Sequence, residues 1–165
     1  ASPRTNPGGA SDTDTVRGNG GNDRIYDYSG EGNRLFGLAG TDRIYSLGDA
    51  VSTSYGGNGS DFIYSDGGQD SSGRPERLFG ERGNDRLNGD QGPGDGPVLL
   101  DGGSGDDRMN GGSGEDKLVG GSGDDRINAA DGERDEITCG KGTDRVRADR
   151  ADRVRGCERV RRPKR

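Results

Sequence analysis

The sequence predicts an all-β fold, a parallel β-roll or β-helix solenoid, from three observations. Between Gly102 and Asn128 a nine-residue unit repeats three times without a gap, as GGSGDDRMN, GGSGEDKLV and GGSGDDRIN. A fixed period of this kind marks a stacked-repeat architecture. An acid two residues before a large aliphatic residue recurs from Asp14–Val16 to Asp152–Val154, far beyond that triplet. The composition, finally, denies an ordinary core: 35 of 165 residues are Gly, 24% are hydrophobic, 33% are charged, and Trp is absent. So little apolar surface does not offset chain entropy unaided, and bound metal is the obvious supplement.

The unit reads G-G-x-G-x-D-x-U-x, with U a large aliphatic residue. Glycines at positions one, two and four allow positive φ and close backbone approach, so the first six residues make a tight turn. Such a turn aims several carbonyls at one spot, and the Asp at position six adds a charged oxygen. That donor set is hard and suits Ca²⁺, which takes roughly six to eight oxygens. The last three residues make a short strand with U pointing inward. Two units form one coil of eighteen residues, and coils stack at roughly 4.8 Å.

This motif resembles the repeats-in-toxin (RTX) calcium-binding β-roll family, over about residues 9–160. The resemblance implies several Ca²⁺ ions held between successive turns on one side of a roll, and no attached catalytic domain. Asp107 and Asp125 then share one side, and Asp116 faces the other. One-step export in that family usually uses an uncleaved C-terminal signal, whereas this chain ends VRRPKR. The expectation is therefore a cleaved leader, a mature start at Ala1 and an extracellular location.

Taken in order, residues 1–8 read as a flexible lead-in, 9–160 as the roll and 161–165 as a basic tail. Degenerate GASDTDTVR at 9–17 is followed by GNGGNDRIY (18–26), GLAGTDRIY (37–45), GGNGSDFIY (56–64) and GERGNDRLN (80–88). After the triplet comes CGKGTDRVR at 139–147. The returns between these units are longer, with inserted loops expected at 65–75 and 89–97.

One acid ladder then runs Asp23, Asp42, Asp61, Asp85, Asp107, Asp125, Asp144, giving up to six inter-turn sites. The opposite side runs Asp14, Asn33, a gap, Glu76, a gap, Asp116, Asp135, Asp152, and is competent only toward its end. Candidate metal ligands are the carboxylates of Asp14, Asp23, Asp42, Asp61, Asp85, Asp107, Asp116, Asp125, Asp135 and Asp144. Backbone carbonyls of Gly56, Asn58, Gly59, Gly102, Ser104, Gly105, Gly111, Ser113, Gly114, Gly120, Ser122 and Gly123 join them. The core is two columns of single side chains: Val16, Leu35, Leu78, Leu100, Leu118, Ile137 and Val154, and Ile25, Ile44, Ile63, Leu87, Met109, Ile127 and Val146. Such periodicity argues against a glycine-rich linker.

Formal charge is −6, but residues 145–165 hold +7, leaving −13 for residues 1–144. That balance favours cations over nucleic acid as partners of the body of the chain. No apolar run is long enough to span a membrane, and no stretch fits an EF-hand loop. With no His, no Ser elbow and no Cys–His pair, enzyme activity is not expected.

Position seven is mostly basic (Arg24, Arg43, Arg86, Arg108, Lys117, Arg126, Arg145, Arg153), read either as charge balance for the acid rows or as a polyanion surface. Position nine is aromatic early on (Tyr26, Phe36, Tyr45, Tyr55, Tyr64, Phe79), read as sheet-stabilising stacking or as a sugar- or protein-binding strip. Cys139 and Cys157 lie eighteen residues apart, one coil, so a disulfide between adjacent coils is expected to cap the end. Two roles remain: a structural, adhesive or surface protein dependent on calcium, with an unidentified extracellular partner, or a calcium-responsive module beside a secreted enzyme.

Overall fold

The computed structural model describes residues 4–6 (backbone only), 13–28, 32–48, 51–66, 74–89 and 96–163. Among them there are seventeen strands and no helix. Odd-numbered strands form one parallel sheet: β1 (Arg4–Asn6), β3 (Arg24–Asp27), β5 (Arg43–Ser46), β7 (Phe62–Ser65), β9 (Arg86–Asn88), β11 (Arg108–Asn110), β13 (Arg126–Ala129), β15 (Arg145–Ala148) and β17 (Arg159–Arg161). Even-numbered strands form the other: β2 (Thr15–Gly20), β4 (Arg34–Ala39), β6 (Thr53–Asn58), β8 (Glu76–Arg82), β10 (Val98–Ser104), β12 (Lys117–Ser122), β14 (Glu136–Lys141) and β16 (Arg153–Arg155). The chain alternates between sheets, so each strand pairs with the strand two later. This is the expected parallel β-roll.

Burial alternates along the strands because every second side chain enters the space between the sheets. In the odd sheet, Ile25, Ile44, Ile63, Leu87, Met109, Ile127 and Val146 stand in register, and all are buried. In the even sheet the column is Val16, Leu35, Ser54, Leu78, Leu100, Leu118, Ile137, Val154. Ser54 is the one member the aliphatic pattern lacked, and it is fully buried. Val16 and Val154 are only partly buried because little stacks beyond them, as at the end of any solenoid.

Glycine has two separate jobs in the turns. Positions two and four have positive φ, for example 109° at Gly57 and 136° at Gly59. Asn19, Leu38 and Glu81 occupy position two at φ of 77°, 78° and 71°, a strain of roughly 1–2 kcal/mol each. Position one has no such φ. There glycine is required by space: a Cβ on Gly120 would lie 2.6 Å from Asp125 Oδ2 and 2.6 Å from the Cys139 carbonyl.

Strand pairing reaches both ends of the described residues. Residues 4–6, inside the expected lead-in, pair as β1 with β3. At the other end Arg161 belongs to β17, and Arg162 donates to the Asp149 carbonyl at 2.6 Å. Most of the two expected insertions, 67–73 and 90–95, lies outside the described residues.

Candidate metal centre

The even-to-odd turns stack into one ladder of carboxylates. Each Asp Oδ1 accepts the backbone N–H of the Asp one turn earlier: Asp23 to Asp42 at 2.8 Å, Asp42 to Asp61, Asp61 to Asp85 and Asp85 to Asp107 at 2.7 Å, Asp107 to Asp125 at 2.9 Å, and Asp125 to Asp144 at 2.8 Å. Glu158 closes the row, accepting from the Asp144 N–H at 2.9 Å. The seven aspartates are all buried. The second oxygen, Oδ2, is buried without a hydrogen-bond partner in every one of them.

Buried polar atoms are normally satisfied, so this row of orphaned anionic oxygens fits a bound cation. The backbone adds more oxygen. Position-four carbonyls of Gly21, Gly40, Gly59, Gly83, Gly105 and Gly123 point at the position-four glycine of the next turn. Position-one carbonyls of Gly56, Gly80, Gly102 and Gly120 and the Asp Oδ2 of the preceding turn flank the same position-one glycine. Position-three carbonyls are engaged already: Asn58, Ser104 and Ser122 accept N–H groups of the preceding turn at 2.9, 2.8 and 2.7 Å. Carboxylate plus carbonyl, with no nitrogen or sulfur, is the donor set of a hard divalent ion.

Burial lifts the carboxyl pKa values, and neighbouring carboxylates add to the rise, although the accepted N–H opposes it. Asp61 and Asp125 are pushed up to about 6, and Asp85 and Asp107 to about 7. Asp42 and Asp144 also rise, with burial again the chief cause. Burial and mutual repulsion thus oppose full charge on the ladder when no metal balances it.

Cys139 stands in the glycine column of position one, next after Gly120. Its side chain forms the disulfide to Cys157, with Cα atoms 5.2 Å apart. The expected bridge is thus present, and it starts from a position that holds glycine in the earlier turns. The carboxylate ladder and the covalent clamp meet at Asp144.

The odd-to-even side is divided. In the first half Asp14 is exposed, and its N–H donates to Asn33 Oδ1 at 2.8 Å. Ser52 fills the first gap, accepting from the Asn33 N–H at 3.0 Å. Asn33 Nδ2 and Ser52 Oγ both donate to Asp27, at 2.9 and 3.0 Å. Neutral side chains here do what carboxylates do opposite. Glu76 is buried beside Ser46 and Ser65, and burial pushes its pKa up to about 8.

Val98 fills the second gap, donating its N–H to Asp116 Oδ1 at 2.9 Å. From there the carboxylates resume, with Asp116 donating to Asp135 and Asp135 to Asp152. Oδ2 of Asp116 and of Asp135 is again buried without a partner. Gly111 makes room for Asp116 Oδ2, and Ser113 and Gly114 complete that turn. Asp131 brings a third carboxylate, with oxygens of Asp116, Asp131 and Asp135 within 4.8 Å of one another. The nine-residue pattern gives no signal for Asp131, because it stands where the motif has glycine.

On the outside, the basic row divides between sheets. Arg24, Arg43, Arg86, Arg108, Arg126 and Arg145 lie in one column of the odd sheet, interrupted by Phe62, whereas Lys117 and Arg153 lie on the even sheet. The aromatics divide too. Tyr26 and Tyr45 stack at 4.8 Å on the odd sheet, with Tyr64 beyond, and Phe36, Tyr55 and Phe79 stack at 4.7 and 5.1 Å on the even sheet. No helix among the described residues is long and apolar enough to cross a membrane.

Stacked glycine turns, a carboxylate at the sixth position of every even-to-odd turn and a two-sheet parallel roll define a metal-binding solenoid. Residues 8–31, 28–50, 53–71, 72–93 and 101–134 match the family model for the RTX calcium-binding nonapeptide repeat (4 copies). The chain belongs to that family, and it is an RTX calcium-binding repeat protein with stacked acidic residues. Nothing matches it among curated proteins or solved structures.

Proposed function

We propose that this is a secreted, extracellular protein whose roll, about residues 9–160, assembles on binding several Ca²⁺ ions and then serves as a structural, adhesive or surface element. The observation that carries this is the row of buried carboxylate oxygens without partners, one per turn from Asp23 to Asp144. In the ladder the carboxylates of Asp23, Asp42, Asp61, Asp85, Asp107, Asp125 and Asp144 would hold the ions. Carbonyls at positions one and four of the turns would complete the donor sets. On the other side Asp116 and Asp135, with Asp131, would hold another.

Calcium supplies charge neutralisation where the thin core supplies little. Six ions would move the formal charge from −6 to about +6. The disulfide supports an oxidising compartment, where free calcium reaches roughly the 10⁻⁴–10⁻³ M range of extracellular modules. Equilibrium dialysis against calcium tests the proposal. Several ions per chain support it, and one or none would reject it.

A further inference from the structure

The outward columns of the odd sheet, from β3 to β17, hold nine arginines and no acid. The same columns of the even sheet interleave their basic residues with Asp101 and Glu136. None of the nine makes an ion pair or side-chain hydrogen bond among the described residues. The Arg155–Glu136 pair at 3.5 Å belongs to the even sheet. The arginines are exposed, while the ladder aspartates are turned inward and buried. Charge balance for the acid rows therefore does not account for this face. Adjacent like charges on neighbouring strands repel, and a bound polyanion relieves that repulsion.

We infer that this face binds a linear anionic polysaccharide, carboxylated or sulfated, laid along the arginine column. The column crosses the eight strands from β3 to β17, about 34 Å at the usual strand spacing. Guanidinium forks grip carboxylate and sulfate groups through paired hydrogen bonds. Phe62 interrupts the column and lines a depression of about 350 Å³ with Arg43, Tyr45, Arg86 and Arg108, which also reaches the buried ladder residues Asp42 and Asp61. An apolar side chain between two arginines suits a sugar ring with its acid group at one end.

Two other anionic partners fit less well. Single-stranded nucleic acid needs aromatic faces for successive bases, but the outward columns from β9 to β17 hold only Arg and Asn, and the rings of Tyr26 and Tyr45 cover each other. A membrane surface needs apolar side chains to insert, and the exposed large hydrophobics, Tyr28, Leu38 and Val160, stand outside these columns.

The inference rests on the folded, calcium-loaded chain, so circular dichroism is recorded on the same samples. The probes are a sulfated glycosaminoglycan and a short oligouronate, in calcium at roughly 0.15 M salt. The variant R86E/R108E/R126E is compared with R34E/R77E/R153E, which alters exposed residues of the even sheet. The first should lose about tenfold or more in affinity and flatten the salt dependence, and the second should lose less than about threefold. Phe62→Ala should weaken binding without changing the salt slope. Equal losses from both triple variants would overturn the inference, as would tighter binding of single-stranded DNA or anionic vesicles. Absence of glycan binding by samples that show the β signal would also overturn it, and would leave the calcium proposal standing.

Discussion

The backbone N–H of Asp42 donates to Oδ1 of Asp61 at 2.7 Å, while Oδ2 of Asp61 is buried with no partner. One carboxylate thus performs two separable tasks. Its first oxygen fastens turn to turn, and its second would hold a cation in the proposed site. Asp61→Asn keeps an accepting oxygen and removes the charge. Calorimetry should show fewer bound calcium ions for Asp61→Asn, with the roll still formed at higher calcium. Asp61→Ala should lose both tasks and need more calcium again. Identical behaviour of the two variants would show that the tasks are not separate.

The pH dependence of the metal-free chain follows from the raised carboxyl pKa values. A group whose folded pKa lies above its unfolded value stabilises the fold fully below the unfolded pKa, near 3.8 here. That stability is lost as pH rises through the folded values of about 6 to 8. Acid should therefore replace calcium in part. Without calcium, β signal should be present near pH 4 and lost by about pH 8. Calcium binding near pH 6 should release protons, measured by calorimetry in buffers of different ionisation heat. A metal-free chain with the same signal at both pH values would contradict this.

Glu76 gives a separate test, because it is buried beside Ser46 and Ser65, with Asp66 and Asp27 nearby, in the half of its side where no metal is proposed. Its folded pKa of about 8 lies above the ordinary 4.5. Its contribution is therefore present below about pH 4.5 and lost as pH rises through about 8. Glu76→Gln removes that penalty and should be the more stable protein at pH 9 in calcium. The upper bound is roughly 5 kcal/mol, read from denaturant midpoints. Bound calcium should hardly change. A Glu76→Gln chain that loses an ion would place Glu76 among the ligands.

Much of this was legible in the sequence because each signal has one cause. The D-x-U spacing gave both inward columns except Ser54, since the acid and the aliphatic keep a constant separation in each unit. The eighteen-residue cysteine spacing fixed the clamp for the same reason. Other features were hidden because no repeat carries them. Ser52 and Val98 fill carboxylate positions with unrelated chemistry, and only the strand register reveals it. Asp131 enters the carboxylate cluster through a turn without the motif glycines. The division of aromatics and arginines between two faces follows from alternate units belonging to opposite sheets, so a single-file list of position seven or nine mixes them.

The clamp at the C-terminal end has a measurable cost when opened. Cys139→Ser with Cys157→Ser should destabilise the chain by roughly 3 kcal/mol in the chain-entropy model. Hydrogen exchange in calcium should quicken in β14 to β17 and stay slow in β5 to β11. Uniform quickening along the roll would assign the bridge a global role instead of a capping one.

The central claim is that calcium binding and folding are one event. A calcium titration of the chain, first stripped with chelator at neutral pH and followed by far-ultraviolet circular dichroism, measures it directly. The account predicts a disordered spectrum in chelator and a cooperative gain of β signal at roughly 10⁻⁴–10⁻³ M calcium. A full β spectrum in excess chelator at neutral pH would contradict it.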